Sequence, residues 1–171
     1  QRMIQAMCVS SVSRQTSEVN SRFVNLKFID GKDLIFFSNY ESTKSKEFSE
    51  HNQIAAIFYW NRTDTQIRIK GQISRTSRDY NLEYFSSRNP NKNALAISSD
   101  QSKQIESFDE VIKRFELAKS QEDLTRCPEY WGGFKIMPHY FEFWKGDESR
   151  LNRRDVYKIK NGKWEKIIIQ P

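Results

Sequence analysis

Alternating apolar and polar positions run through much of the chain. Residues 21–28 place Arg22, Val24, Leu26 and Phe28 on one parity and Phe23, Asn25 and Lys27 on the other, which predicts a strand with two distinct faces. Asp30-Gly31-Lys32 is a hairpin turn signal, and residues 33–38 form the returning strand. The cleanest alternation is at 65–73, with Ile67, Ile69 and Ile73 on one face and Gln66, Arg68 and Lys70 on the other. Residues 6–12 are short and β-prone, and 54–60 is a nearly continuous apolar run that predicts a strand buried on both faces. Further strands are expected at 130–137, 140–144, 156–159 and 164–169, punctuated by Gly146, Asn161 and Gly162. Pro138-His139 reads as a turn or edge between the first two of these.

Helical spacing is confined to three stretches. Residues 42–51 form a short helix capped by Ser42, with Phe48 as its apolar contact. Residues 77–87 follow with Ser77 as cap and Tyr80, Tyr84 and Phe85 on one side. Residues 107–119 carry the strongest pattern, with Ser107 and Glu110 as a capping box and Phe108, Val111, Ile112 and Phe115 as the apolar stripe. Residues 14–20 and 89–93 are polar turns and loops. Eight or nine strands joined by short connections argue against a parallel α/β sheet, and the pattern predicts one α+β domain over 1–171 built on an antiparallel barrel.

Composition narrows the class. The chain has 171 residues, 37% of them hydrophobic, enough for one core, and 13% aromatic, too many for a disordered chain. No apolar run approaches the roughly 20 residues of a membrane span, and no signal segment opens the chain. It starts at Gln1, not Met, so a preceding segment is expected. Two cysteines, Cys8 and Cys127, and two histidines are too few for a disulfide framework or a zinc site, so no metal is expected and both thiols read as free. Free thiols fit a reducing compartment, the cytoplasm, with the mitochondrial matrix also compatible.

With six glycines and no glycine-rich phosphate motif, any phosphate must be held by side chains. Cationic and hydroxyl residues cluster as Arg22 with Lys27, Ser42-Thr43-Lys44, Tyr84 with Arg88, Gln101-Ser102, and Arg150 with Arg154. Tyr84 and Arg88 are spaced i, i+4 and share a helix face, a plausible phosphate clamp. Each cation taken alone also reads as solvated surface. Trp131-Gly132-Gly133-Phe134 reads either as a ligand wall or as a bulge packed by an aromatic. Glu142, between Phe141 and Phe143, reads either as a perturbed carboxylate or, the ordinary case, as one facing water on an edge strand, and Cys8 as a small buried apolar residue. The net charge of +6 is spread over the chain and not striped with aromatics, so a nucleic-acid partner is disfavoured.

Taken in order, these pieces resemble the pyridoxamine 5′-phosphate oxidase family of FMN-dependent split-barrel enzymes. The similarity runs through residues 22–27, 37–44, 66–71, 84–88 and 101–102, and is most specific in the C-terminal third: Trp131-Gly132-Gly133-Phe134, Glu142-Phe143-Trp144, Arg150-Leu151-Asn152-Arg153-Arg154 and Gln170-Pro171. The resemblance implies an α+β antiparallel FMN-binding split β-barrel with a few peripheral helices. It implies a homodimer with FMN at the subunit interface, residues from about 128 to 171 forming the dimerisation region. FMN would be bound by Arg22, Lys27, Phe37, Ser38, Thr43, Lys44, Gln66, Gln101, Ser102, Trp144 and Arg154. The substrate would be bound by Lys27, Tyr84, Arg88, Lys92, Arg150 and Asn152, with Arg150 and Asn152 at the reacting ring. The implied activity is oxidation of pyridoxine or pyridoxamine 5′-phosphate to pyridoxal 5′-phosphate with O2 as electron acceptor, with no nucleic acid or membrane partner.

The chain also departs from the family pattern. The family's Arg-Leu-His triplet reads Arg150-Leu151-Asn152, its Arg-Lys pair on the FMN phosphate reads Thr43-Lys44, and its phosphate-pocket serine aligns with Lys92. Asn152 hydrogen-bonds but carries no proton at neutral pH. Two rival readings follow: a split-barrel FMN oxidoreductase with a different substrate, as in phenazine-type biosynthesis, and a non-catalytic flavin- or vitamer-binding protein.

Overall fold

The structure, a computed structural model, describes residues 5–171. The described residues form β1 (Gln5–Val12), β2 (Val19–Leu26), β3 (Phe28–Asp30), β4 (Asp33–Asn39), α1 (Thr43–Glu50), β5 (Gln53–Trp60), β6 (Thr65–Arg75), α2 (Arg78–Ser87), α3 (Pro90–Ser98), α4 (Phe108–Gln121), β7 (Trp131–Lys145), β8 (Arg153–Lys160) and β9 (Lys163–Ile169). One sheet holds all nine strands in the order β2-β1-β5-β6-β7-β4-β3, with β8 on β7 and β9 on β8. The fold is α+β, and the β1–β2, β1–β5, β3–β4, β5–β6, β7–β8 and β8–β9 pairings are antiparallel, as the alternation predicts. The chain packs as two compact units: Gln1–Phe36, Glu47–Ser74 and Lys135–Pro171 in the first, and Phe37–Lys46 and Arg75–Phe134 in the second.

In the first unit the buried parities are those of the sequence pattern. Ile67, Ile69 and Ile73 of β6 are buried, as are Ile54, Ala56 and Phe58 of β5. β5 differs from expectation on its other face: Ala55 is exposed, Ile57 half-buried and Tyr59 61% exposed, so among the described residues its apolar run is fully covered on one side only. The strand expected at 21–28 also divides. β2 ends at Leu26 and β3 starts at Phe28, with the Lys27 N–H donating to Ile35 O (2.8 Å). β3 pairs β4 across the Gly31-Lys32 turn in the register Asp30↔Asp33. β7 runs unbroken through Pro138-His139, a pair expected as a turn or edge between two strands. His139 is therefore an exposed mid-strand residue. Close approach fixes Gly71, where a Cβ would stand 2.8 Å from Met137 O and 2.9 Å from Ile136. The β8–β9 hairpin turns at Asn161-Gly162, whose φ values of +51° and +76° match a type I′ turn.

Glu47, in the middle of α1, is the charged residue buried in this unit alongside Glu142, 3% exposed. Its carboxylate accepts from Ser11 Oγ, from Arg22 Nη2 (2.8 Å) and from Asn20 Nδ2 (2.8 Å). Burial alone would raise this carboxyl, but the Ser11, Arg22 and Asn20 donors outweigh it and hold it below the usual carboxylate range.

In the second unit, Phe85, Cys127 and Trp131 form a buried cluster against which Phe37, Tyr84, Ala96, Ile97 and Tyr130 pack. Cys127 is buried and free, whereas Cys8 of the first unit is only half-buried. Ser77 and Ser107 cap α2 and α4 as expected, accepting from Tyr80 N (3.3 Å) and Glu110 N (3.2 Å). Ser42 does not: its hydroxyl donates to Asn39 O (2.8 Å) and accepts from Lys44 Nζ (3.2 Å). The stretch 89–93, expected as a loop, instead opens α3. Asn89 caps it by accepting from Asn91 N (3.0 Å), and Pro90 occupies the first helical position, where its missing N–H costs nothing. The apolar stripe of α4 is largely uncovered, with Phe108 75% and Ile112 48% exposed.

Asn81, 2% exposed, closes a polar network in this unit. Its Oδ1 accepts from Thr76 Oγ1 (2.6 Å) and Gly133 N (2.8 Å), its Nδ2 donates to Tyr40 Oη (3.0 Å), and that hydroxyl donates to Gly133 O (3.1 Å).

Two outcomes follow from these buried groups. Asn81→Ala takes the acceptor from the Thr76 hydroxyl and the Gly133 N–H, while the Tyr40 hydroxyl keeps Gly133 O, and is expected to lower unfolding free energy by about 2 kcal/mol, read from the urea midpoint at constant slope. Glu47 has a folded pKa below its unfolded value, so its contribution is present above roughly pH 4.5 and is lost as pH falls through the folded pKa. Urea midpoints compared at pH 7 and pH 3.5 should therefore fall more for the wild type than for Glu47→Gln. Equal falls would show that Glu47 contributes nothing to the acid sensitivity.

Candidate active site

The second unit gathers most of the predicted phosphate-binding residues into one place. β4 carries Phe37 and Ser38, the helix after it carries Lys44, and the stretch following α3 carries Gln101. Lys44 is buried and its Nζ donates to Ser38 Oγ (3.0 Å) as well as to Ser42. Ser38 Oγ in turn donates to Gln101 Oε1 (3.1 Å), which also accepts from Asn39 N (3.3 Å). The ammonium, hydroxyl and amide thus form one hydrogen-bonded chain whose donors are pre-aimed.

Next to this chain is a cavity of about 250 Å³. Phe37, Trp131, Leu95 and Ala96 supply its apolar walls, and Ser38, Asn39, Ser99, Gln101, Arg88 and Lys92 its polar groups. The wall is ordered by stacking: Phe37 stands 4.0 Å from Tyr84 and 5.2 Å from Trp131, centroid to centroid. Within Trp131-Gly132-Gly133-Phe134, Trp131 lines this cavity. Gly132 has a different reason: a Cβ there would overlap the Tyr40 hydroxyl.

Arg88, the C-cap of α2, lies with its guanidinium 4.9 Å from the Trp131 ring centroid. Its Nη1 donates to Lys92 O (3.0 Å) and Asn93 Oδ1 (3.2 Å), both in the first turn of α3. Burial lowers its pKa, with Tyr84 and Cys127 partly opposing, and a guanidinium stays charged at neutral pH all the same. Burial likewise raises the Tyr84 phenol, against the pull of Arg88, so Tyr84 is a neutral donor at pH 7. Among the described residues neither Arg88 nor Lys92 has a carboxylate within ion-pair distance. Two cations in an apolar-walled cavity with hydroxyl and amide donors are the chemistry that could hold a phosphate.

The first unit treats its arginines differently. Arg22 is committed to Glu47, to Ser11 Oγ and to Val9 O (3.4 Å). Arg154 donates through Nε to Glu142 Oε1 (2.8 Å), lies 2.7 Å from it through Nη2, and donates through Nη1 to Gln170 O (3.1 Å). Glu142 does not face water. It is 1% exposed, and its other oxygen accepts from Arg68 Nη1 (2.9 Å) and Tyr140 Oη (2.8 Å). Burial would raise this carboxyl, but the Tyr140 and Arg154 hydrogen bonds and the charges of Arg68 and Arg154 hold it below the usual range.

The remaining predicted residues are placed as follows. Thr43 is the exposed first residue of α1, Ser102 is exposed with φ +73°, and Lys27 is exposed between β2 and β3. Gln66 is half-buried opposite Tyr59, and Trp144 half-buried opposite Arg154. Arg150 is exposed with φ +64°, its N–H donating to Asp147 O (3.0 Å), and Asn152 Oδ1 accepts from Asp147 N (3.1 Å). Sequence reasoning missed Leu95, Ala96 and Ser99 of the cavity because α3 was not expected. It also missed the Arg68–Glu142 pair, for which the one signal was a lone carboxylate inside the aromatic stretch 140–144.

Comparison with known proteins accords with this geometry. Residues 2–121 match the family model described as pyridoxamine 5′-phosphate oxidase, and residues 131–171 match the pyridoxine 5′-phosphate oxidase C-terminal dimerisation region. The pyridoxine/pyridoxamine 5′-phosphate oxidase of Colwellia psychrerythraea is 37% identical over 169 residues, covering 98% of this chain and 77% of that protein. The one from Vesicomyosocius okutanii is 34% identical over 164 residues, covering 95% and 77%. Among solved structures, PhzG from Burkholderia lata, in complex with tetrahydrophenazine-1-carboxylic acid, superposes with a TM-score of 0.91 at 24% identity, covering 98% of this chain and 82% of that one. A pyridoxamine 5′-phosphate oxidase-related, FMN binding protein from Nostoc punctiforme gives 0.80 at 13% identity, covering 98% and 87%. These likenesses show the fold, the split β-barrel that the motifs imply. Near-complete coverage by two adjoining family regions, at more than a third identity to a named relative, makes this chain a member of the pyridoxamine 5′-phosphate oxidase family.

Proposed function

We propose that the protein is an FMN-dependent oxidase that converts pyridoxine or pyridoxamine 5′-phosphate to pyridoxal 5′-phosphate with O2 as electron acceptor. The observation that carries this reading is the Arg88–Lys92 cavity, two cations without carboxylate partners, in a chain of this family. The donor set also fits FMN: the Lys44–Ser38–Gln101 chain supplies cation, hydroxyl and amide for an anionic, amide-bearing cofactor without any glycine loop. When bound, FMN supplies the two-electron acceptor that the protein side chains lack.

The roles of this chain's residues follow from their chemistry. Lys44, Ser38, Gln101, Arg22, Lys27, Thr43, Gln66, Ser102, Trp144 and Arg154 are assigned to FMN. Arg88, Lys92, Tyr84 and Lys27 hold the substrate phosphate, and Arg150 and Asn152 orient the substrate ring. Placement is the protein's contribution, since no side chain among these is a strong base at neutral pH. A homodimer with FMN at the subunit interface is part of this proposal. The match to a dimerisation region supports it, as do the large apolar side chains left outside the first unit, Phe23 at 74% and Ile168 at 71% exposure. A different substrate is the second reading, favoured by Asn152, whose carbonyl is spent on the Asp147 N–H within its own loop.

Anaerobic titration of the FMN-loaded protein with each phosphorylated vitamer should bleach the flavin absorbance, and air should restore it. A flavin that stays oxidised with both would replace the vitamer reading by the second one. Arg88→Met should raise KM for the phosphorylated vitamer about 30-fold with a smaller change in kcat, because a charged hydrogen bond of about 2 kcal/mol is lost in ground and transition states alike. Light scattering should give twice the chain mass; a monomer that holds FMN would remove the interface from the proposal.

A further inference from the structure

Glu142 has more donors on it than any other carboxylate among those described. Three adjacent strands converge on it: Arg68 from β6, Tyr140 on β7 itself, and Arg154 from β8. Arg154 takes one carboxylate oxygen side-on through Nε and Nη2, while Arg68 and Tyr140 take the other. Four donors on one carboxylate fill its lone-pair sites. The Arg154 side chain is only 24% exposed, and its remaining edge is pinned by Gln170 O. Three of its five N–H groups are thereby used within the chain, and the other two have a fixed direction.

We propose that Glu142 is a positioning residue: it holds the Arg154 guanidinium in the one orientation in which its remaining N–H groups meet the anionic cofactor. The proposal rests on the assignment of Arg154 to FMN made above. The charge balance suits that task. Two arginines and one carboxylate leave the cluster with a net charge of +1, so the carboxylate fixes the guanidinium without cancelling the attraction for an anion. A bare arginine on β8 would lose rotamer freedom on binding; a guanidinium already locked has lost it in folding.

The test uses two readouts on the full chain. The first is the arginine Nε–H spectrum of 15N-labelled protein without added FMN. The Arg154 signal, assigned by its loss in Arg154→Lys, should resist solvent exchange in the wild type and lose that protection in Glu142→Gln. The second is FMN affinity by fluorescence quenching. Glu142→Gln should weaken it about tenfold, and the same change made on an Arg154→Ala background should have no further effect, because Glu142 acts through Arg154. Additive losses, or an Arg154 signal equally protected in Glu142→Gln, would overturn the proposal. If Glu142→Gln does not fold, Glu142→Asp is read the same way, with intermediate affinity and protection expected and wild-type values for both overturning it. A wild type that takes up no FMN would refute the FMN assignment, and the Nε–H signal alone would then decide whether Glu142 orients Arg154.

Discussion

A carboxylate that leaves water must have every lone pair met, and Glu142 at 1% exposure meets that demand with donors from three neighbouring strands. The β7–β8 register sets Trp144 opposite Arg154 and Glu142 opposite Val156, so the ion pair is a diagonal contact on one face. A slip of one residue would put Glu142 on the opposite face and leave two arginines facing each other without a counter-charge. Replacing a buried ion pair by well-packed apolar residues often costs little energy, but here it would erase the register signal and the guanidinium's orientation together. Glu47 imposes the same demand elsewhere in the first unit, through Arg22, Ser11 and Asn20.

The chain therefore uses arginine in two ways. Arg22 and Arg154 are tied to buried acids, and their charge is partly spent before any ligand arrives. Arg88 is tied instead to neutral acceptors, the Lys92 carbonyl and the Asn93 amide, and to the face of Trp131. Its full charge is available to an anion, and so is that of Lys92. Fixing a cation without neutralising it requires carbonyls and aromatic faces, which α3 and Trp131 supply. With six glycines and no glycine-rich phosphate motif in the sequence, the positioning falls to side chains.

Much of this was legible in the sequence. The Ile67, Ile69, Ile73 parity, the Asp30-Gly31-Lys32 and Asn161-Gly162 turns, and the Ser77 and Ser107 caps are local signals, and local physics decides them. What failed depended on neighbours distant in the sequence. Pro138-His139 reads locally as a turn or edge, yet β7 continues through it. The 54–60 run reads as buried on both faces, whereas among the described residues its second face is only partly covered. Glu142 reads locally as facing water, because nothing in residues 140–144 announces that Arg68 and Arg154 flank it. Motif order names Ser38, Arg88, Lys92 and Gln101 as candidates, and their grouping around one cavity in the second unit follows only from the packing of α2, α3 and Trp131.

The least visible element, α3, organises the cavity most. Residues four apart in one continuous helix share a face and point the same way. Arg88 and Lys92 are four apart, but the helix is interrupted between them: Pro90 excludes helical backbone at Asn89, which turns instead into the cap of α3. The break lets the Arg88 guanidinium reach back to the Lys92 carbonyl, while Asn93, 1% exposed, clamps the new helix to Phe85 O (2.9 Å) and Leu124 O (2.8 Å). Two like charges are thereby held at one cavity by a polar backbone contact, at a repulsive cost that an arriving dianion reverses. The Asn-Pro dipeptide, which reads locally as a loop, is the device that brings two ordinary surface cations to one cavity.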